Sequence, residues 1–136
     1  SAVWHLWDTA FENFFVGKWN IKMIKTYINY EQLKNRTGDD KELIYDFLEV
    51  LKSELENYEQ NFETAFLNND KEALLSAIHK FKGAIGIFGF SNIYDKLVFI
   101  ENELKKNISI NCFYNEKNHI FISVKKHIDE LEKNIT

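Results

Sequence analysis

The chain has 136 residues, of which 45% are apolar and 28% charged, and its net charge is −4. This length suits one domain whose core needs no disulfide or metal to stabilise it. The acidic balance argues against a nucleic-acid-binding protein, which would need a basic surface for phosphates. No apolar run approaches the ~18 residues of a membrane span, and the single cysteine, Cys112, favours a reducing compartment. We therefore expect a cytoplasmic protein without direct membrane insertion, whose partners are other proteins.

The chain contains no proline, and its apolar residues recur at intervals of three and four, which predicts an all-α protein. Residues 1–26 hold all three tryptophans, and their spacing predicts an amphipathic helix. We interpret this segment as an N-terminal extension or linker before a domain over residues 27–136. It could pack on that domain, or contact a second copy, a neighbouring domain or, least favoured because basic residues are few, a membrane surface.

A short helix is expected over residues 28–34, followed by a turn at Gly38 and a long helix with Asp39 as its N-cap. The apolar face predicted for this long helix is Leu43, Phe47, Val50, Leu51, Leu55, Tyr58, Phe62 and Phe66. The next helix is expected from about Lys71 to Phe88, where Gly89 ends it, with a seam of Leu74, Ile78, Phe81, Ile85 and Phe88.

Two further helices complete the predicted fold. Ser91 or Asn92 would cap the first of them, which buries Ile93, Leu97, Ile100 and Leu104. A loop over residues 107–115 would lead to the last helix, which begins near Asn115 and buries Ile120, Phe121, Val124, Ile128 and Leu131. Four amphipathic helices with short connections predict an antiparallel up-down four-helix bundle, with one or two additional N-terminal helices.

The candidate site lies on the second helix of the predicted bundle. His79 follows the core position Ile78 by about 100° around the helix axis, so we expect it on a solvated flank. Gly83 comes one turn later and Gly86 continues the same face, although each glycine costs a helix about 1 kcal/mol. Their missing side chains would open a shallow bay beside an imidazole that can accept a phosphoryl group near pH 7. Lys82 could neutralise that anionic group, whereas no carboxylate partner of the ring and no metal cluster can be placed.

The stretch HKFKGAIGIFG, residues 79–89, resembles the signature of histidine-containing phosphotransfer (Hpt) domains. That signature has a histidine, any residue, an apolar residue, lysine and glycine, then an apolar residue and glycine five and six positions later; the matching residues here are His79, Phe81, Lys82, Gly83, Phe88 and Gly89. The resemblance extends over residues 28–131. It implies that His79 takes a phosphoryl group from a receiver aspartyl-phosphate and passes it to another receiver aspartate. Lys82 would stabilise the phosphoryl group, Gly83 would allow close approach, and the receiver would bring Mg²⁺.

The resemblance also implies the partners, which would be receiver domains of response regulators or of hybrid sensor kinases. The chain could itself be the cytoplasmic domain of a larger sensor kinase. The expected docking face around His79 comprises Leu75, Ser76, Gly86 and Ile87. Many family members have small or polar residues where this chain has Ile85 and Ile87, which leaves the identity of the partner open.

Two alternatives remain at this stage. An autophosphorylating kinase is disfavoured because the sequence has neither a P-loop nor a kinase-type glycine loop, so we expect a carrier without autokinase activity. The second alternative is a non-catalytic helical interaction module in which His79 is idle and the glycines permit tight helix packing.

Overall fold

The computed structural model describes residues 28–135. The predicted helix over residues 1–26 and the domain boundary after it lie outside the described residues and stay predictions. The described part is helical, and none of its helices combines the length and apolar composition needed to cross a bilayer. Its elements are α1 (Tyr30–Thr37), α2 (Lys41–Leu67), α3 (Lys71–Ile85), α4 (Ser91–Leu104), a 3₁₀ helix (Ile110–Phe113) and α5 (Tyr114–Ile135).

The four long helices pack as a closed ring in chain order. Helix α2 packs on α3, α3 on α4, and α4 on α5, while α5 returns to α2. Phe81 stands at the centre of this ring, with its centroid 5.9 Å from that of Phe62 and 4.8 Å from that of Phe121. This arrangement confirms the predicted four-helix bundle, to which α1 adds one N-terminal helix.

The predicted seams of α3, α4 and α5 are buried, but the first three residues of the seam predicted for α2 were wrong. Leu43, Phe47 and Val50 are 37%, 41% and 60% exposed. Ile44 and Leu48 are buried instead, and they are in line with Leu51 and Leu55, whose burial was predicted correctly. Both stripes have helical spacing and differ by one residue, or about 100° of rotation. Which stripe is buried depends on where α3 and α5 lie. The spacing of apolar residues within α2 gives no information about those positions.

Two predicted N-caps also needed correction. Asp40, not Asp39, caps α2 by accepting a hydrogen bond from the Leu43 N–H at 3.1 Å, while Asp39 has a left-handed φ of 61°, outside the extended region typical of N-caps. Neither Ser91 nor Asn92 caps α4, because Phe90 holds that position without a side-chain bond. The last helix begins at Tyr114, in agreement with the predicted start near Asn115, and a 3₁₀ helix forms within the predicted loop.

The α3–α4 turn anchors α1 next to the site. Helix α3 ends at Ile85 rather than at Phe88, and the turn closes at Gly89 with a φ of +75°. A Cβ at Gly89 would collide with the carbonyl oxygen of Asn29, whose N–H donates to the Gly89 carbonyl at 2.7 Å. The Asn29 side chain also caps α1 by accepting a hydrogen bond from the Gln32 N–H at 3.1 Å. Only glycine fits this turn, and the turn fixes where α1 begins.

Candidate functional site

Five of the predicted site residues line one open depression of about 720 Å³ between α1, α3 and α4, which we call the His79 depression. They are His79, Lys82, Gly83, Gly86 and Ile87. The structure does not bring the other two into it. Leu75 is half-buried against the core, and Ser76 opens into a separate depression beside α2.

His79 lies on the solvent side of α3, as its position after Ile78 predicts. Its side chain is 78% exposed, whereas Ile78 and Phe81 on either side are buried. The flanking core residues fix the helix rotation and therefore the direction in which the imidazole leaves the bundle. The ring is held by a packed helix and is open to an incoming partner.

Glu101 of α4 lies against both polar side chains of the site. Its Oε1 is 2.9 Å from Lys82 Nζ, and its Oε2 is 4.0 Å from His79 Nδ1. The side chains of Lys82 and Glu101 are only 16% and 14% exposed, so their charge-assisted bond is partly shielded from water. Lys82 Nζ also lies 5.8 Å from the ring centroid of Tyr94, within cation–π range.

The packing of the described residues does not require the glycines beside His79. Within residues 28–135, a Cβ added at Gly83 would meet no atom within 4 Å, apart from its own helix backbone and chain neighbours. A Cβ at Gly86 would make ordinary contacts, 3.4 Å from the Lys82 carbonyl oxygen and 3.9 Å from Arg36 Nη1. Packing within the bundle therefore does not explain why glycine occupies the two positions next to the imidazole. It does explain Gly89, where a Cβ would collide with Asn29.

Sequence reasoning missed the residues that α1 and α4 bring to the depression. They are Gln32, Arg36, Phe90, Ser91, Tyr94, Asp95 and, beside Lys82, Glu101. Gln32 and Ser91 join the two helices, because the Ser91 hydroxyl donates to Gln32 Oε1 at 3.0 Å. Partial burial raises the pKa of Asp95. In the sequence, Glu101 could be recognised only by its position next to the predicted core residue Ile100. That position places Glu101 on a flank of α4 but does not show whether this flank faces α3.

The described residues contain no group of three His, Cys, Asp or Glu side chains that could bind a metal ion. The two remaining histidines in residues 28–135 differ from His79. His127 is 4% exposed, and burial lowers its pKa. His119 lies on α5 with Nδ1 3.9 Å from Glu116, outside the depression.

Comparisons with known proteins agree with this geometry. The family model of the Hpt domain matches residues 46–134, which include α3 with His79. The fold is similar to the crystal structure of the HPT domain from the Hpt sensor hybrid histidine kinase of Shewanella, with a TM-score of 0.66, 21% identity, and coverage of 79% of this chain and 92% of that one. No curated protein matches the chain. Since the family model spans more than half of its length, the chain belongs to the histidine-containing phosphotransfer (Hpt) domain family and has a phosphotransfer role in two-component signalling.

Proposed function

We propose that His79 accepts a phosphoryl group from the aspartyl-phosphate of one receiver domain and passes it to the aspartate of another. The observation that carries this proposal is the exposed imidazole next to Gly83, where the described residues leave space that their own packing does not use. A phosphoryl group on a receiver aspartate lies on a protein surface, so the nucleophile must be reachable by a second protein. The other described histidines are less suitable, because His127 is buried and no glycine lies within one helical turn of His119.

In the proposed step, a lone pair of the neutral imidazole forms a bond to phosphorus. The bond between phosphorus and the aspartate oxygen breaks, and its electron pair returns to the carboxylate. Little covalent chemistry is left for the protein in phosphoryl transfer, so positioning and charge compensation dominate. We assign charge compensation to Lys82, close approach to Gly83, and Mg²⁺ to the receiver.

The proposed partners are receiver domains of response regulators or hybrid sensor kinases. Gly86 and Ile87 continue the open face of His79 along the depression and would meet the receiver surface. In this proposal every phosphoryl group comes from a receiver and none from ATP, so the chain is a carrier without autokinase activity.

The test uses the full chain, a panel of phosphorylated receivers and Mg²⁺, with mass spectrometry under conditions that preserve acid-labile phosphate. We expect phosphate on His79 and none in His79→Gln, while the matched variant His119→Gln still accepts it. Phosphate on another residue, or none from any receiver although the chain stays folded, would contradict the proposal. The second outcome would favour an interaction module with an idle histidine.

A further inference from the structure

Three large apolar side chains are exposed along one flank of α2 in the described part of the chain. They are Leu43, Phe47 and Val50, which we call the exposed α2 stripe, and their intervals of four and three residues place them in line on the helix. We propose that residues 4–15 of this chain cover the exposed α2 stripe as a helix packed alongside α2. The three side chains do not line the His79 depression, so this contact is separate from the proposed phosphotransfer.

The stripe is exposed because α3 is shorter than the helix on which it packs. Helix α2 has 27 residues and α3 has 15, and a short turn joins them, so about twelve residues at the start of α2 extend beyond the end of α3. Tyr58 lies about three turns after Phe47 and therefore shares its flank. There α3 provides cover, since the ring centroids of Tyr58 and Phe81 are 5.2 Å apart. The stripe continues this flank past the point where α3 ends.

The other sides of the same part of α2 have partners. Lys52 Nζ lies 3.1 Å from Glu132 of α5, so α5 packs on the flank away from the stripe. Ile44 and Leu48 point into the core and are buried. Among the described residues, the stripe is therefore the apolar side of α2 that lacks a covering helix.

Residues 4–15 lie outside the described residues, but their sequence fits this gap. Trp4, Trp7, Phe11 and Phe14 recur at intervals of three and four, which predicts one aromatic face on a helix. A helix of twelve residues is about 18 Å long, which is also the length of α2 that α3 leaves uncovered. Aromatic side chains bury large areas when they pack, so this face favours an apolar neighbour over water.

The chain can reach the stripe from the place where the described residues begin. Ile28 is buried, and the Asn29 N–H donates to the Gly89 carbonyl at 2.7 Å, which places this point at the turn where α3 ends. Residues 16–27 can span up to about 40 Å when extended, whereas the stripe is about 10 Å long. A connection this short gives a tethered segment an effective concentration in the millimolar range, which favours it over a second copy of the chain.

The charges of the two segments are complementary. Residues 16–27 contain three lysines, at positions 18, 22 and 25, and no acidic residue. Residues 39–56, which include the stripe, contain seven acidic residues and two lysines. A basic connecting segment is therefore attracted to the acidic start of α2, which helps to orient the segment before it.

The experiment uses tryptophan fluorescence of the full chain. All three tryptophans lie in residues 1–26 and none in residues 28–135, so their emission reports only on the N-terminal segment. The variants are Val50→Glu and Phe47→Glu in the stripe. The matched control is Ile122→Glu on α5, because Ile122 is 53% exposed and Val50 is 60% exposed. Circular dichroism checks the fold of each variant, and sedimentation gives the oligomeric state.

We expect a monomer whose tryptophans are shielded from acrylamide, with quenching independent of protein concentration. A glutamate in the stripe places a charge against the aromatic face, so the quenching constant should rise about twofold or more and the emission should shift to longer wavelength. Ile122→Glu should match the wild type. If Phe47→Glu fails to fold, Val50→Glu at the more exposed position gives the same test.

Three outcomes would overturn the proposal. Tryptophans as accessible as in the urea-unfolded chain would show that the segment is not packed. Shielded tryptophans that respond equally to Val50→Glu and Ile122→Glu would place the segment elsewhere on the domain. Shielding that appears only in a dimer, or only after a receiver domain is added, would assign the stripe to a second copy or to the receiver.

Discussion

Replacing Gly83 with alanine should change the stability of the fold and the rate of phosphoryl transfer in opposite directions. Gly83 lies in the last turn of α3, and the added methyl group would meet no atom of the described part of the chain within 4 Å, beyond its own helix backbone and chain neighbours. The helix then loses its glycine penalty with no steric cost to offset it, so we expect a gain of about 0.5–1 kcal/mol in the free energy of unfolding. For a domain of this size that gain corresponds to a rise in Tm of roughly 2–4 °C. Urea and thermal denaturation measure both values.

The same methyl group would stand one turn from His79, on the side where the receiver must approach. A displacement of about 1 Å can slow a positioned reaction about 100-fold, so we expect phosphoryl transfer to slow at least about tenfold. Quenched-flow transfer from a phosphorylated receiver gives the rate, and Gly86→Ala, one turn further along the depression, should slow it less. A stabilised Gly83→Ala that transfers at the wild-type rate would refute the access role, and a destabilised one would refute the reasoning from open space.

Three other substitutions test the remaining features. Gly89→Ala should lower the free energy of unfolding by at least about 2 kcal/mol in urea titrations, because of the left-handed φ and the collision with Asn29; a loss below about 0.5 kcal/mol would contradict that. Lys82→Gln should slow transfer between about 10- and 100-fold while circular dichroism shows an intact fold, and an unchanged rate would make Lys82 a structural cation only. Because burial lowers the pKa of His127 from its ordinary 6.5, stability should fall as the pH decreases below that value, by up to about 1.4 kcal/mol per pH unit. In denaturation experiments between pH 7 and 5, the free energy of unfolding of His127→Leu should decrease less steeply than that of the wild type. An identical decrease would exclude His127 as the cause.

The fold was predictable where one apolar stripe dominated a helix. Helix α3 has a single seam, so its spacing placed Ile78 and Phe81 in the core and His79 on the flank. Helix α2 has two adjacent apolar stripes, and the sequence could not show that Ile44 and Leu48 would be buried rather than Leu43 and Phe47. Tertiary packing decides between stripes of equal period.

The candidate site was predictable only along α3. The spacing of His79, Lys82 and Gly83 within one helix fixes their relation through helix geometry alone. Glu101 and Arg36 reach the site from other helices, and their positions depend on how α4 and α1 pack on α3. No pattern within a single helix contains that information.

Helix α3 carries two interleaved sets of residues, one packed in the core and one exposed beside the imidazole. A point substitution can change one set and leave the other in place. An inserted residue changes the rotation of the helix, and so it alters the relation between the two sets. One extra residue after Lys80 would rotate the rest of the helix by about 100°. Either Phe81 would then leave the core, or His79 and Gly83 would cease to share a face. The number of residues in this helix is therefore constrained twice, once by folding and once by access to the nucleophile.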